Sequence, residues 1–216
     1  MQPLYYDIPA YKISVIATPK CANSSILDLL RPLLPSELPH KSNPHHMWGP
    51  MKISKERIAE VKLDRFVLAI GRNPWARTVS HYEDKVNKTL HERLRQYGFY
   101  QGMKFEEYLK VLSDKFNKIN DLHVASQKEM FHSGEMLLPD LILRQERLKQ
   151  DVDLLRSMVL SRYQIELPSL AHINKKTKRH YSEYYSRENR LVVRKLYSKD
   201  IDFLGYNFEN KEKVGK

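Results

Sequence analysis

The stretch Val15-Ile16-Ala17-Thr18-Pro19-Lys20-Cys21-Ala22-Asn23-Ser24-Ser25-Ile26 decides how the rest of the chain is read. An apolar, strand-like run from Ile13 to Ala17 stops at Pro19, and a lysine and a cluster of small polar residues follow. Ile26, Leu29, Leu30, Leu33 and Leu34 then repeat at helical spacing. Strand, small-residue turn and helix start together make a holder for phosphate. Backbone N–H groups and the positive end of the helix dipole face the turn, and Ser or Asn serves as cap and ligand together. Lys20 adds a full charge. An ordinary strand–turn–helix, capped by Asn23 or Ser24 and binding nothing, has the same pattern.

The nucleotide-triphosphate loop needs G-x-x-x-x-G-K-[ST], and this chain has no glycine before Gly49. A phosphatase loop needs an arginine six residues after its cysteine, where Leu27 stands. Cys21, the only cysteine, reads as a small loop residue. A second signal supports anion binding. Arg65-Phe66-Val67-Leu68-Ala69-Ile70-Gly71 forms another strand-like run, followed by Arg72-Asn73-Pro74-Trp75-Ala76-Arg77-Thr78-Val79-Ser80. Pro74 suits a first helical turn, and Trp75, Val79, Tyr82 and Val86 make one apolar stripe. An arginine at a strand end and a serine two turns into the next helix can grip one anion from two sides.

These motifs resemble those of the PAPS-dependent sulfotransferases, in which PAPS is 3′-phosphoadenosine 5′-phosphosulfate. Pro19–Ser25 looks like their 5′-phosphosulfate loop, and Arg72–Ser80 looks like their 3′-phosphate motif, R-[ND]-P-[WYF]-x-R-x-V-S. The carbohydrate branch, with its uronyl 2-O and bacterial members, is the most similar. His123-Val124-Ala125-Ser126-Gln127, Asp140–Leu148 with Asp151, and the region from Leu167 to Phe208 resemble later segments of that branch. The likeness runs from about residue 12 to 208. Family loops often carry Gly or Thr near Ala22 and Asn23, and an aromatic residue where Gln145 stands.

The resemblance implies a single three-layer, P-loop-like domain over 1–216, with a polar tail from 209. It implies PAPS as cosubstrate, adenosine 3′,5′-bisphosphate as product, no metal, and a small-molecule or glycan acceptor. By the same resemblance, Lys20 sits at the leaving-group oxygen, and Cys21, Ala22, Asn23, Ser24 and Ser25 line the 5′-phosphate. Arg72 and Ser80 hold the 3′-phosphate. A general base in such chemistry contributes about 10²- to 10⁴-fold, and family catalytic histidines lie between the two motifs. There, loop 35–52 holds His40, His45 and His46; His46, nearest the helix start at Ser54, is the first choice and His45 the second. Thr177 and Lys178 are expected at the donor, and Gln127, Arg144 and Asn174 at acceptor or donor. Adjacent His45 and His46 make a poor metal site.

The alternation of apolar runs gives strand 12–18, helix 24–34, loop 35–52, helix 54–62, strand 65–71 and helix 75–90. A helical region 104–133, strand 140–143, helix 146–161, basic loop 168–180 and helix 181–197 follow. That order predicts an α/β domain with a mostly parallel sheet flanked by helices. In helix 146–161, Leu148, Val152, Leu155 and Val159 form the core face. A net charge of +11 over 216 residues favours anionic partners. A basic module gripping nucleic acid or another polyanion is the alternative, and a nucleotide or sugar kinase a more distant one. No nucleic acid is expected. One cysteine fits a reducing compartment, and no signal peptide or membrane-spanning run is present, so a cytoplasmic location is expected unless the chain is a trimmed lumenal domain.

Overall fold

A computed structural model describes residues 5–38, 43–170 and 179–209. In chain order the elements are β1 (Tyr5–Ile8), β2 (Ile13–Ile16), α1 (Asn23–Leu29), α2 (Pro44–Met47), β3 (Lys52–Ile53), α3 (Lys55–Val61) and β4 (Phe66–Gly71). These are followed by α4 (Pro74–Tyr82), α5 (Glu92–Arg95), α6 (Phe105–Lys115), α7 (Gln127–Phe131), the short hairpin β5 (His132–Ser133) and β6 (Met136–Leu137), and β7 (Leu141–Arg144). Helices α8 (Leu148–Tyr163), α9 (Arg187–Leu196) and α10 (Ser198–Leu204) complete the order. Apart from Met1, the chain falls into two compact units, Gln2–Gly71 with Glu129–Asn174, and Arg72–Lys128 with Lys175–Lys216.

The first unit holds a five-stranded sheet in the order β3-β1-β2-β4-β7. β2 pairs with β4 in parallel (Val15 opposite Leu68), and β4 pairs with β7 in parallel (Ile70 opposite Leu143). The carboxyl ends of these three strands therefore share one edge. β1 runs antiparallel to both β2 and β3, so the sheet is mixed, with a parallel centre and an antiparallel margin. Ile13, Val15, Leu68, Ile70 and Leu143 face a core with Ile26 and Leu27 of α1, Leu30 just after it, and Val152, Leu155 and Val159 of α8. Val67 and Ala69, between them, are also buried. Burial on both faces explains why these strands read as continuous apolar runs. At the margin, Asp7 accepts from the Ser14 hydroxyl at 2.8 Å and pairs with the Arg65 guanidinium at 3.0 Å.

The second unit has its own core. Trp75, Val79, Tyr82 and Val86 pack with Tyr108, Leu109 and Leu112 of α6, and with Val193, Tyr197 and Ile201. The expected apolar stripe is there, but α4 ends at Tyr82 rather than continuing to 90. Glu83–Asn87 form a wider turn, and the Lys88 N–H bonds to the Glu83 carbonyl at 3.1 Å. Val86 stays buried through that turn, so the side-chain period outlasts the α-helical hydrogen bonding.

Other expected boundaries shift. The helix read over 24–34 is α1 followed by a 3₁₀ turn at Arg31–Leu33, where Pro32 removes an N–H. The loop 35–52 contains α2. Region 104–133 is broken into α6 and α7 and runs into the β5–β6 hairpin, and 181–197 is a 3₁₀ turn (Tyr181–Tyr184) followed by α9. Among the described residues, no helix is long and apolar enough to cross a membrane.

Candidate active site

In the first unit the segment after β2 folds into a tight loop. The Cys21 N–H bonds back to the Thr18 carbonyl at 3.3 Å, and Lys20 and Ala22 both adopt left-handed backbone, with φ of 67° and 61°. Such values are uncommon for residues other than glycine and tend to occur at functional turns. Ala22 is the N-cap of α1 and supplies no side-chain cap. Asn23 is buried and fixes the loop from inside, its Nδ2 donating to the Ala17 carbonyl at 2.9 Å. The Cys21 thiol points into the core, with Sγ 3.6 Å from the Pro19 carbonyl oxygen. Thr18 Oγ1 and Asn23 Oδ1 are buried without a hydrogen-bond partner among the described residues. The fold thus leaves polar capacity unspent beside this loop. Lys20 and Ser25 are half-buried and Ser24 is exposed.

The same unit brings a histidine to the loop. Asn43 caps α2, its Oδ1 accepting from the His45 N–H at 3.0 Å, and Pro44 fills the first helical position. Met47 and Trp48 are buried at the other end. The Trp48 indole N–H donates to the Leu27 carbonyl on α1 at 2.9 Å, and its ring meets Tyr6 edge-on at 5.4 Å. Pinned at both ends, α2 sets His45 Nε2 3.2 Å from Ser24 Oγ. His46 is exposed. The histidine facing the loop is therefore His45, although proximity to Ser54 favoured His46. Arg144 ends β7, half-buried, and its N–H donates to Asp151 at 2.6 Å.

The second unit begins at Arg72. Asn73 caps α4, its Oδ1 accepting from the N–H groups of Trp75 and Ala76 at 3.0 and 3.4 Å, while its Nδ2 donates to the Asn207 carbonyl at 2.8 Å. The two arginines of the motif have different fates. Arg77 is buried and donates to the carbonyls of Ala125 and Leu122 at 2.7 and 2.9 Å, so it serves structure. Arg72 and, two turns along α4, Ser80 are half-buried. Gln127 is buried, and its side-chain amide bonds to the backbone of Arg72 rather than facing a pocket. His40, Asn174, Thr177 and Lys178 lie outside the described residues.

Sequence reasoning missed some residues here. Asp200 is fully buried yet accepts from the N–H groups of Gln127 and Lys128. Asp121 accepts from His123 Nδ1 at 2.6 Å. Burial pushes the Asp121 carboxyl up, but the hydrogen bonds from the His123 ring and N–H, with the nearby positive charge, bring it below the usual carboxylate range. A D-x-H spacing was visible in the sequence; its pairing and depth were not.

Among the described residues, no group of three or more His, Cys, Asp or Glu is placed to hold a metal ion. A search of curated proteins and one of solved structures gave no match. The sequence model of the sulfotransferase family matches residues 5–207, from β1 to the chain just beyond α10. With nearly its whole length matched, the chain belongs to the sulfotransferase family, whose members are sulfuryl transferases.

Proposed function

We propose that this protein transfers the sulfuryl group of PAPS to a hydroxyl of a carbohydrate. The observation that carries the reading is the placement of His45 Nε2 3.2 Å from Ser24 Oγ, at the loop that contains the half-buried, left-handed Lys20. PAPS supplies the activated sulfuryl group as cosubstrate. His45 takes the proton of the acceptor hydroxyl while its oxygen bonds to sulfur and the bond from sulfur to the 5′-phosphate oxygen breaks. His46 is the second choice for this step. The Lys20 ammonium offsets the charge gathering on the departing phosphate. Ser24 and Ser25, with the backbone of Cys21, Ala22 and Asn23, hold the 5′-phosphate. Arg72 and Ser80 hold the 3′-phosphate, Arg72 through a forked, charge-assisted pair.

This division of labour resembles phosphoryl transfer, where positioning and electrostatics do most of the work. The carbohydrate acceptor follows from the motif likeness, and the net charge of +11 favours an acidic one. Arg144, at the carboxyl end of β7, is a further cation for the acceptor or the donor.

Ligand-linked stability tests donor recognition. Adenosine 3′,5′-bisphosphate at about 100 times its dissociation constant should stabilise the fold by about 2.7 kcal/mol. Thermal melting with and without the nucleotide reads this directly. A response that is absent, or equal in Arg72→Ala, overturns the donor assignment.

A further inference from the structure

The side chain of Gln127 forms a two-point pair with a single peptide segment. Its Oε1 accepts from the Arg72 N–H at 2.9 Å and its Nε2 donates to the Arg72 carbonyl at 2.8 Å. The primary amide thus copies what a neighbouring strand does for a residue in a ladder, at the point where β4 has ended and Arg72 follows. Both backbone groups of Arg72 are engaged, which restricts the φ and ψ of this residue and thereby the direction in which its side chain leaves the chain. Gln127 is fully buried, so no water competes for these bonds.

Gln127 is itself held from behind. Asp200 of α10, also fully buried, caps the start of α7 from another helix: Oδ2 accepts from the Gln127 N–H at 2.8 Å, and Oδ1 from the Lys128 N–H at 3.0 Å and the Ser126 hydroxyl at 2.5 Å. A carboxylate at a helix N-terminus gains from both the open N–H groups and the dipole. The preceding loop is fastened by the Arg77 guanidinium on the Ala125 and Leu122 carbonyls and by the Tyr197 hydroxyl on the Val124 carbonyl at 2.9 Å. Three buried side chains, Arg77 of α4, Tyr197 at the junction of α9 and α10, and Asp200 of α10, therefore converge on residues 122–128, and that stretch grips Arg72.

We infer that Gln127, anchored by Asp200, is the positioning residue that aims Arg72 at the 3′-phosphate of the donor, so that selectivity for a 3′-phosphorylated nucleotide depends on an amide that never touches the ligand. The inference rests on the PAPS reading and adds a residue to it. A buried hydrogen-bonded scaffold with no functional consequence would need neither both bonds on the same residue nor that residue to be the motif arginine.

The test compares adenosine 3′,5′-bisphosphate with adenosine 5′-monophosphate, which lacks the 3′-phosphate, by calorimetric titration of wild type, Gln127→Met, Arg72→Ala and the double variant. Gln127→Met keeps the length and removes both bonds. It should weaken the bisphosphate about tenfold or more, the scale expected when a positioned group loses its aim, and leave the monophosphate unchanged. In the Arg72→Ala background the same change should have no further effect. Equal weakening of both nucleotides, unchanged selectivity, or an additive loss in the double variant would overturn the inference. If Gln127→Met does not fold, Gln127→Glu, which keeps the acceptor for the Arg72 N–H and loses the donor, decides by the same criteria. A wild type that does not prefer the bisphosphate refutes the PAPS reading itself, a result distinct from retained preference in the Gln127 variants.

Discussion

Lys20 carries two demands that pull apart. Its backbone is left-handed, with φ of 67°, a conformation that costs an ordinary L-residue roughly 1–2 kcal/mol, while its ammonium is assigned to the leaving group. Glycine enters that region freely at the expense of extra freedom in the unfolded chain. Lys20→Gly should therefore be no less stable than wild type, with a gain of up to about 1 kcal/mol, yet lose turnover by about 100-fold or more. Chemical denaturation and a transfer assay on the same preparation check the pair of expectations. A less stable variant contradicts the strain account, and retained turnover contradicts the catalytic one. At this scale the choice of candidates was legible where a residue's chemistry speaks for itself: Lys20, Ser24, Arg72 and Ser80 were proposed through charge or hydroxyl and motif spacing. His45 against His46 was not, because the choice depends on the Asn43 cap and the buried Trp48 that orient α2. Gln127 was visible as a polar residue, but its partner, the backbone of Arg72, is far along the chain.

The short helix α2 makes the histidine choice and hangs on one indole. Trp48 is fully buried, and its N–H satisfies the Leu27 carbonyl on α1. Trp48→Phe keeps an aromatic ring but leaves that buried carbonyl unpaired, a loss of about 1–3 kcal/mol. Because the bond ties α2 to the helix that follows the Lys20 loop, turnover should fall together with stability, while Leu63→Ala, at a fully exposed side chain, should change neither. Differential scanning calorimetry and initial rates test this, and a destabilised Trp48→Phe with undiminished turnover contradicts a role for α2 in placing the base. The strongly apolar strands β2 and β4 and the core face of α8 were evident from pattern alone. β1 was hidden because Tyr5-Tyr6-Asp7-Ile8 is short and interrupted by an acid, so it reads neither as a continuous apolar run nor as a strict alternation. α2 was hidden because a four-residue helix has no room for periodicity. In both cases tertiary burial, rather than local preference, makes the element.

Among the described residues there are two hydrophobic cores, each built within its own unit, and the whole chain carries a formal net charge of +11. Alternating strands and helices announced the α/β character and the parallel centre of the sheet. The antiparallel margin was not announced, since pairing direction at an edge is set by contacts between segments and not by either segment alone. Charge likewise pointed to anionic partners without choosing among them; the family match over residues 5–207 narrows them to those of a sulfuryl transferase. The central claim is transfer of sulfuryl from PAPS to a carbohydrate hydroxyl, with Lys20 at the leaving group. It is tested most directly by incubating the protein with ³⁵S-labelled PAPS and a panel of neutral and acidic carbohydrates, and counting label on the acceptor. The account predicts label on at least one carbohydrate with wild type, and its loss in a folded Lys20→Ala variant. No labelled carbohydrate from a folded wild type, or equal labelling by Lys20→Ala, would contradict it.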